Sequence, residues 1–254
     1  MTEKYIAGLI EPKILEAAES DSLHPVRLDL DACGAVEIRY DLFDESEWGL
    51  LSERVRKVIP NKLQIGTIRL KRDGGKFPDS RAHDRLPLWE RILDARSIPD
   101  WLDLEQDCLY AYKDLSQQSS QRGVKILLSQ HNFLRIPCMA ELSDFANDAK
   151  RLHIEGLKIA AMSNSTDDCD RLYEFTKKES RNFKLFSAFG MGCTGMASRI
   201  WSLKEGANLT YCSIGGALAP GQLDVNTVKK ALDNWNLLDS LEKARLFADK
   251  NGIF

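Results

Sequence analysis

His131 and Lys158 are the residues whose types and positions most directly indicate chemistry. His131 follows the apolar run 124–130 (VKILLSQ), and Lys158 lies inside the apolar run 156–161 (GLKIAA). Both runs have the composition of a buried β-strand. An ammonium group in a buried strand is costly unless it is paired, neutral or used in a reaction. A neutral lysine is a nucleophile, and a neighbouring histidine can move protons for it, so the pair predicts Schiff-base chemistry on a ketone.

Other charged side chains also lie at or near the ends of predicted strands. Glu37, Arg39 and Asp41 alternate on one face of the second strand. In a barrel this face points inward, whereas an edge strand with a solvated face is the alternative. Arg69 ends the third strand, where an oxyanion or a hydroxyl of a ligand would meet it.

The later strands add further candidates. Asp103 and Glu105 share one face of the fourth strand, and their spacing fits a structural ion pair as well as a functional role. Arg199 follows a glycine-rich turn after the seventh strand and has the geometry to clamp a carboxylate. The segment 215–222 (GGALAPGQ) after the eighth strand predicts either a plain loop or a lid over a ligand.

Short apolar runs alternate with longer amphipathic runs along the whole chain. The predicted strands are Tyr5–Ile10, Ala35–Leu42, Lys62–Leu70, Trp101–Glu105, Val124–Gln130, Gly156–Met162, Phe183–Phe189 and Asn208–Ile214. The predicted helices are Pro12–Glu19, Glu47–Val58, Leu88–Ala95, Tyr110–Gln118, Met139–Leu152, Asp167–Lys178, Gly195–Lys204, Val225–Leu232 and Ser240–Ala248. This alternation predicts an α/β fold, a (β/α)8 TIM barrel, as a single domain over residues 1–254. A doubly wound open sheet is the alternative, although no dinucleotide or P-loop motif follows a strand.

Composition limits the classes of partner. The 43% hydrophobic content suffices for a large core, and the net charge of -3 gives no electrostatic case for nucleic acid or an anionic membrane. No stretch approaches the ~20 apolar residues of a membrane span. The six cysteines lack zinc-like spacing and predict reduced thiols in a cytoplasmic protein without a metal site. The expected partner is a small-molecule substrate, and a homodimer is a further hypothesis.

The ordered set of motifs resembles the type I 3-dehydroquinate dehydratases. The motifs are E-x-R-x-D, T-x-R, D-x-E, S-x-H-x-F, KIA, M-G-x-x-G-x-x-S-R and A-P-G-Q, in this order from Glu37 to Gln222. The resemblance implies a barrel enzyme, a hydro-lyase that converts 3-dehydroquinate to 3-dehydroshikimate in the shikimate pathway of aromatic amino acid biosynthesis. It implies no metal and no organic cofactor, because the lysine supplies the electron sink.

The resemblance also implies a role for each matching residue. Lys158 would form the imine, His131 would move the protons, and Glu37 would hold His131 in its working orientation. Arg199 would bind the substrate carboxylate. The other substrate-binding positions that the resemblance implies are Arg39, Arg69, Gln222, Met191 and Tyr211.

One departure from the family concerns the segment before Gln222. The family has a Ser or Thr where this chain has Leu218, and loss of that hydroxyl predicts a cost of about 1–3 kcal/mol in substrate handling. Two alternatives therefore remain beside the dehydratase. One is a relative that binds dehydroquinate with little or no turnover, and the other is a different Schiff-base barrel, such as a class I aldolase acting on a sugar phosphate.

Overall fold

The computed structural model describes residues 3–106, 113–215 and 222–233. The strands are β1 (Tyr5–Ile10), β2 (Ala35–Arg39), β3 (Leu63–Thr67), β4 (Trp101–Glu105), β5 (Lys125–Asn132), β6 (Gly156–Met162), β7 (Leu185–Met191) and β8 (Leu209–Cys212). The helices in the described ranges are α1 (Pro12–Ser20), α2 (Pro25–Ala32), α3 (Trp48–Val58), α4 (Arg85–Leu93), α5 (Lys113–Gln121), α6 (Met139–Arg151), α7 (Thr166–Glu179), α8 (Ser198–Lys204) and α9 (Val225–Asp233).

The strands form one parallel sheet in the order β7-β6-β5-β4-β3-β2-β1-β8. The first strand pairs with the last, from Tyr5↔Leu209 to Gly8↔Cys212. Asn208 bridges the seam between β7 and β8, because its side-chain oxygen accepts a hydrogen bond from Phe186 N at 2.7 Å and its own N–H donates to Phe186 O at 3.1 Å. The sheet therefore curls into a nearly closed (β/α)8 barrel, which confirms the predicted fold class and excludes the open sheet.

The inside of the barrel changes from apolar to polar along the strands. On three strands an apolar inward residue is followed two positions later by a polar one; the pairs are Ala35 and Glu37 on β2, Trp101 and Asp103 on β4, and Leu127 and Ser129 on β5. On β6 the corresponding pair is Gly156 and Lys158. Side chains two apart on a strand share a face, so the apolar set closes the N-terminal part of the barrel. The polar set lies toward the C-terminal ends, where barrel enzymes carry their sites.

The helix α2 is absent from the prediction. Pro25 occupies its first turn, and His24 caps it by accepting a hydrogen bond from Val26 N at 3.2 Å. Val26, Leu28 and Leu30 alternate with polar residues, a pattern that favours a strand. Leu28 is 65% exposed, so only Val26 and Leu30 form the buried stripe of the helix.

Several predictions concern residues outside the described ranges. The predicted helix 240–248, the first part of the predicted helix 110–118, and Leu218 all lie there. Among the described residues, no helix has the length and apolar character needed to cross a membrane. The described cysteines are all free thiols, and no group of three His, Cys, Asp or Glu side chains in those ranges is arranged to hold a metal ion.

Candidate active site

A cavity of about 350 Å³ opens at the C-terminal ends of the strands. The residues to which the family resemblance gave a role all line it, namely Glu37, Arg39, Arg69, His131, Lys158, Met191, Arg199, Tyr211 and Gln222. They come from positions far apart in the chain, and the barrel brings them together because parallel strands end at one rim. The arrangement has the concave shape and the convergent polar groups of a small-molecule site.

Lys158 lies inside the cavity and is 4% exposed. Its amine nitrogen is 2.9 Å from Oε2 of Glu37 and 3.0 Å from Oδ2 of Asp103. The same nitrogen is 4.0 Å from the centre of the Tyr211 ring, a cation–π contact. The sequence analysis required a buried lysine to be paired, neutral or used in a reaction, and the structure shows that Lys158 is paired. The two carboxylates offset the burial of the ammonium group and are in position to accept its proton.

His131 lies on β5, one strand from Lys158. The strand continues to Asn132, two residues beyond its predicted end, because His131 and Asn132 pair with Ala160 and Ala161 of β6. Burial, with the positive charges of Arg69 and Lys158, holds the pKa of His131 well below the ordinary histidine value. The imidazole is therefore neutral at neutral pH, and a neutral imidazole is a proton acceptor.

Arg69 connects several buried groups around these two residues. It is 3% exposed, and one guanidinium nitrogen is 2.9 Å from Glu105 Oε1, 3.1 Å from Ser129 Oγ and 3.3 Å from His131 Nδ1. The other terminal nitrogen is 2.9 Å from Asp103 Oδ2. Arg69 is thus an ion-pair partner for two carboxylates and a direct neighbour of the histidine.

Asp103 is the group that links Arg69 to Lys158. Burial alone would raise the pKa of the Asp103 carboxyl, but Arg69 and Lys158 hold that pKa well below its ordinary range. Ser129 adds a hydrogen bond, since its hydroxyl donates to Asp103 Oδ1 at 2.5 Å. The structure distinguishes the two carboxylates of the D-x-E motif. Asp103 contacts Lys158 in the site, whereas Glu105 forms structural ion pairs with Arg69 and Arg85.

Arg199 supplies a buried positive charge on another side of the cavity. It is 5% exposed, and its guanidinium carbon is 4.0 Å from the centre of the Phe189 ring. Burial lowers the pKa of Arg199 to about 10, so the side chain remains a cation at neutral pH. Gln222 also lines the cavity and donates a hydrogen bond to Cys212 O at 3.2 Å. A buried cation and an amide in the lining of one cavity suit a carboxylate ligand.

Arg39 faces the cavity from the end of β2. Its guanidinium forms a two-point ion pair with Asp41, with both distances 2.8 Å. Asp41 also accepts a hydrogen bond from Lys76 N at 2.9 Å, which ties the segment after β3 to the end of β2. Glu37 and Arg39 therefore line the cavity and the Asp41 carboxylate is buried against Arg39, so these charges do not form the solvated face of an edge strand.

Nine lining residues received no role in the sequence analysis: Leu9, Glu11, Leu42, Asp73, Gly74, Lys76, Phe133, Ala160 and Phe189. Asp73 and Lys76 flank the pair Gly74-Gly75, and the backbone of Gly74 is left-handed with φ of 82°. Phe133 touches this turn, since a Cβ on Gly74 would lie 3.0 Å from its ring. The signal was present in the sequence, because residues immediately after a barrel strand are placed at the rim.

Comparisons with known proteins agree with this geometry. Residues 21–239 match the family model described as type I 3-dehydroquinase. The 3-dehydroquinate dehydratase of Archaeoglobus fulgidus is 29% identical over 229 residues, which covers 90% of this chain and 97% of the relative. The 3-dehydroquinate dehydratase of Alkaliphilus oremlandii is 30% identical over 204 residues, which covers 76% of this chain and 78% of the relative.

Solved structures have the same fold. The crystal structure of 3-dehydroquinate dehydratase from Geobacillus kaustophilus superposes with a TM-score of 0.80 at 21% identity and covers 94% of this chain and 93% of that one. The type I enzyme from Clostridium difficile, solved with covalently modified comenic acid, has a TM-score of 0.80 at 21% identity and covers 94% and 95%. On the family match over most of its length, the chain belongs to the type I 3-dehydroquinase family.

Proposed function

We propose that this protein is a hydro-lyase that converts 3-dehydroquinate to 3-dehydroshikimate in the shikimate pathway, through a Schiff base on Lys158. The observation that carries the proposal is the placement of the Lys158 amine, 2.9 and 3.0 Å from two carboxylates, in one cavity with a neutral histidine. The family match and the relatives named 3-dehydroquinate dehydratase support it.

Imine formation is the first step. The ammonium group of Lys158 transfers a proton to Glu37 or Asp103, both within hydrogen-bond distance, and the freed amine attacks the ketone carbon. The carbinolamine then loses its hydroxyl as water and becomes an iminium ion. The positive nitrogen withdraws electrons and makes the adjacent C–H acidic.

His131 performs the elimination. Its low pKa keeps it neutral, so it can take the proton from the carbon next to the iminium ion. The electron pair moves toward the iminium nitrogen and returns to expel the hydroxyl group two carbons away, which leaves as water after His131 returns the proton. Hydrolysis of the product imine consumes one water and regenerates the Lys158 amine, so the overall reaction releases a single water molecule.

The remaining lining residues orient the substrate. Arg199 binds the carboxylate, because it is a buried cation at the cavity wall. Gln222 and Arg39 bind carboxylate or hydroxyl oxygens. Met191 and Tyr211 pack against the ring, and Tyr211 also lies against the reacting amine. Lys158 supplies the electron sink itself, so the proposal needs no metal or organic cofactor.

Two roles differ from those expected from the sequence. Glu37 was expected to orient His131, but its carboxylate bonds to Lys158, so we assign it to proton transfer with the lysine. Arg69 was expected to meet the substrate. Because Arg69 is already within hydrogen-bond distance of Asp103, Glu105 and His131, we assign it to positioning these groups.

A cytoplasmic location, a homodimer and a domain that spans residues 1–254 remain predictions. The free thiols of the described cysteines support a reducing compartment. Size-exclusion chromatography with light scattering measures the oligomeric state directly.

The activity is tested by adding 3-dehydroquinate to the purified protein and following ultraviolet absorbance, since the product is a conjugated enone and the substrate is not. We expect repeated turnover. Saturable binding of dehydroquinate without absorbance change would favour the binding relative. Cleavage of a sugar phosphate with no response to dehydroquinate would favour the aldolase.

A further inference from the structure

A row of alternating charges runs from an outer helix to the reactive lysine. Arg85, the first residue of α4, bonds to Oε2 of Glu105, and Oε1 of Glu105 is 2.9 Å from Arg69. Arg69 is 2.9 Å from Asp103, and Asp103 is 3.0 Å from Lys158. Each member is at most 4% exposed. The row is therefore a continuous buried connection between a helix outside the barrel and the centre of the cavity.

Arg85 is the most deeply buried cation of this row, with 1% of its surface exposed. Beside its bond to Glu105, it donates hydrogen bonds to Ile68 O and Ala82 O, both at 3.3 Å. Replacing a buried ion pair by apolar residues is often neutral or stabilising, so stability alone is a weak reason to bury this charge. Its contacts instead fix the far side of the Glu105 carboxylate, whose near side holds Arg69.

We propose that Arg85 is a positioning residue for the dehydratase reaction, which holds Arg69 against His131 and Asp103 by fixing Glu105. The expected effect on kcat rests on the proposed function, whereas the expected effect on the pKa of His131 does not. Arg85 itself does not line the cavity, so it acts through Glu105 and Arg69 rather than by touching the substrate.

Loss of Arg85 has a defined electrostatic consequence. The charged groups that act on His131 are Arg39 from β2, Arg69 from the end of β3, Asp103 from β4 and Lys158 from β6. Without Arg85, Oε2 of Glu105 lacks its outer anchor, and the released carboxylate draws Arg69 away from His131. Because Arg69 is a cation that disfavours the protonated imidazole, its withdrawal raises the pKa of His131 toward the ordinary value.

The experiment compares Arg85→Met and Arg85→Lys with the wild-type protein. Arg91→Met is the matched control, since Arg91 lies on the same helix and donates to Glu45 O at 2.8 Å on the outer surface. Steady-state kinetics give kcat and KM, NMR titration of the histidine ring protons gives the pKa of His131, and a thermal melt reports folding.

For Arg85→Met we expect kcat to fall about 10- to 100-fold, because small misplacements of catalytic groups have effects of this size. KM should stay within about threefold of the wild-type value. We also expect an upward shift of the His131 pKa. Arg85→Lys retains the positive charge opposite Glu105, so kcat and the pKa of His131 should return toward their wild-type values. The melting temperature should recover less. Arg91→Met should match the wild type.

Wild-type kcat and an unchanged His131 pKa in folded Arg85→Met would overturn the proposal, even if the variant melts earlier. If Arg85→Met does not fold, Arg85→Gln carries the same titration, and a wild-type His131 pKa in folded Arg85→Gln overturns the proposal. If the wild-type protein itself shows no turnover, the proposed function fails, whereas the titration still decides whether Arg85 controls His131.

Discussion

The carboxylate of Glu37 lies 2.9 Å from the amine of Lys158, although β2 and β6 are on opposite sides of the barrel. The contact crosses the inside of the barrel and pairs the buried ammonium group with a buried carboxylate. An imine-forming lysine must lose a proton before it attacks a ketone, so the base for that step is already in place. The pairing connects the closure of the barrel directly to the proposed chemistry.

Glu37→Gln is the first variant that this contact suggests. The amide keeps the shape of the side chain but accepts a proton poorly, so transfer from Lys158 should slow. Because Asp103 remains 3.0 Å from the amine, we expect kcat/KM to fall about 10- to 100-fold rather than vanish. Rapid-quench trapping of the imine measures this step. Glu53→Gln on α3, a partly exposed carboxylate that pairs with Lys57 away from the cavity lining, is the control. An unchanged trapping rate in Glu37→Gln would refute the assignment.

The pKa of His131 predicts a specific pH profile. A lowered pKa means that the ring stays neutral as the pH falls through about 6.5, where an ordinary histidine becomes protonated. We therefore expect wild-type kcat/KM to persist below that pH and to decline only in more acidic solution. A pH–rate profile measures it, and an acid limb centred at the ordinary histidine value would contradict the structure.

His131→Ala separates proton transfer from imine formation. Without the imidazole, abstraction of the carbon-bound proton should fail, and kcat should drop by about 10²–10⁴-fold. Lys158 still forms the iminium ion, so borohydride should trap an adduct that retains the hydroxyl otherwise lost as water. Intact-protein mass distinguishes this adduct from that of the dehydrated product, and the dehydrated mass in His131→Ala at the wild-type rate would show that another group is the base.

Arg199→Met tests recognition of the substrate carboxylate. A hydrogen bond to a charged group contributes about 1.5–3 kcal/mol, so we expect kcat/KM to fall by roughly 10- to 100-fold. The loss should appear mainly in KM, because the carboxylate does not react. Arg181→Met, outside the cavity lining, is the control. An equal loss of activity toward an analogue without the carboxylate would place the role of Arg199 elsewhere.

Asn208→Ala tests closure of the barrel. The substitution removes the side-chain hydrogen bonds to Phe186 N and Lys184 O, at 2.7 and 2.8 Å, and leaves a buried backbone donor without its partner. We expect the free energy of unfolding to fall by about 2–4 kcal/mol in denaturant titration. The exposed Asn226→Ala should change it by less than about 0.5 kcal/mol. Equal effects of the two substitutions would mean that the seam does not depend on Asn208.

The sequence was sufficient to predict the barrel and a set of residues that meet at one cavity, because strand alternation and strand ends depend on local patterns. His131 and Lys158 were identified from two apolar runs, and the structure places them on adjacent strands of one cavity. The contacts that these residues make depend on the register of the strands and on closure of the barrel, which bring together residues far apart in the sequence. Glu37 was therefore assigned to His131, whereas the curvature of the sheet brings it across to Lys158.

Arg85 illustrates a second limit of sequence-based prediction. A charged residue at the start of an amphipathic helix is ordinarily solvated, and nothing in the pattern around Arg85 distinguishes it from its neighbour Arg81. In the structure Arg81 is partly exposed and pairs with Glu45, whereas Arg85 pairs with Glu105 and is buried. Only the tertiary contact between Arg85 at the start of α4 and Glu105 at the end of β4 separates a surface cation from one connected to the site.

The central claim is covalent chemistry at Lys158, and borohydride reduction during turnover tests it most directly. The protein is incubated with 3-dehydroquinate and borohydride, its intact mass is measured and the modified peptide is mapped. Lys76 is the internal control, because it is an exposed lysine that lines the same cavity. We predict one adduct, on Lys158, with the mass of the reduced imine of the dehydrated product. A protein that turns over the substrate but carries no adduct on Lys158, or carries it on Lys76 instead, would contradict the account.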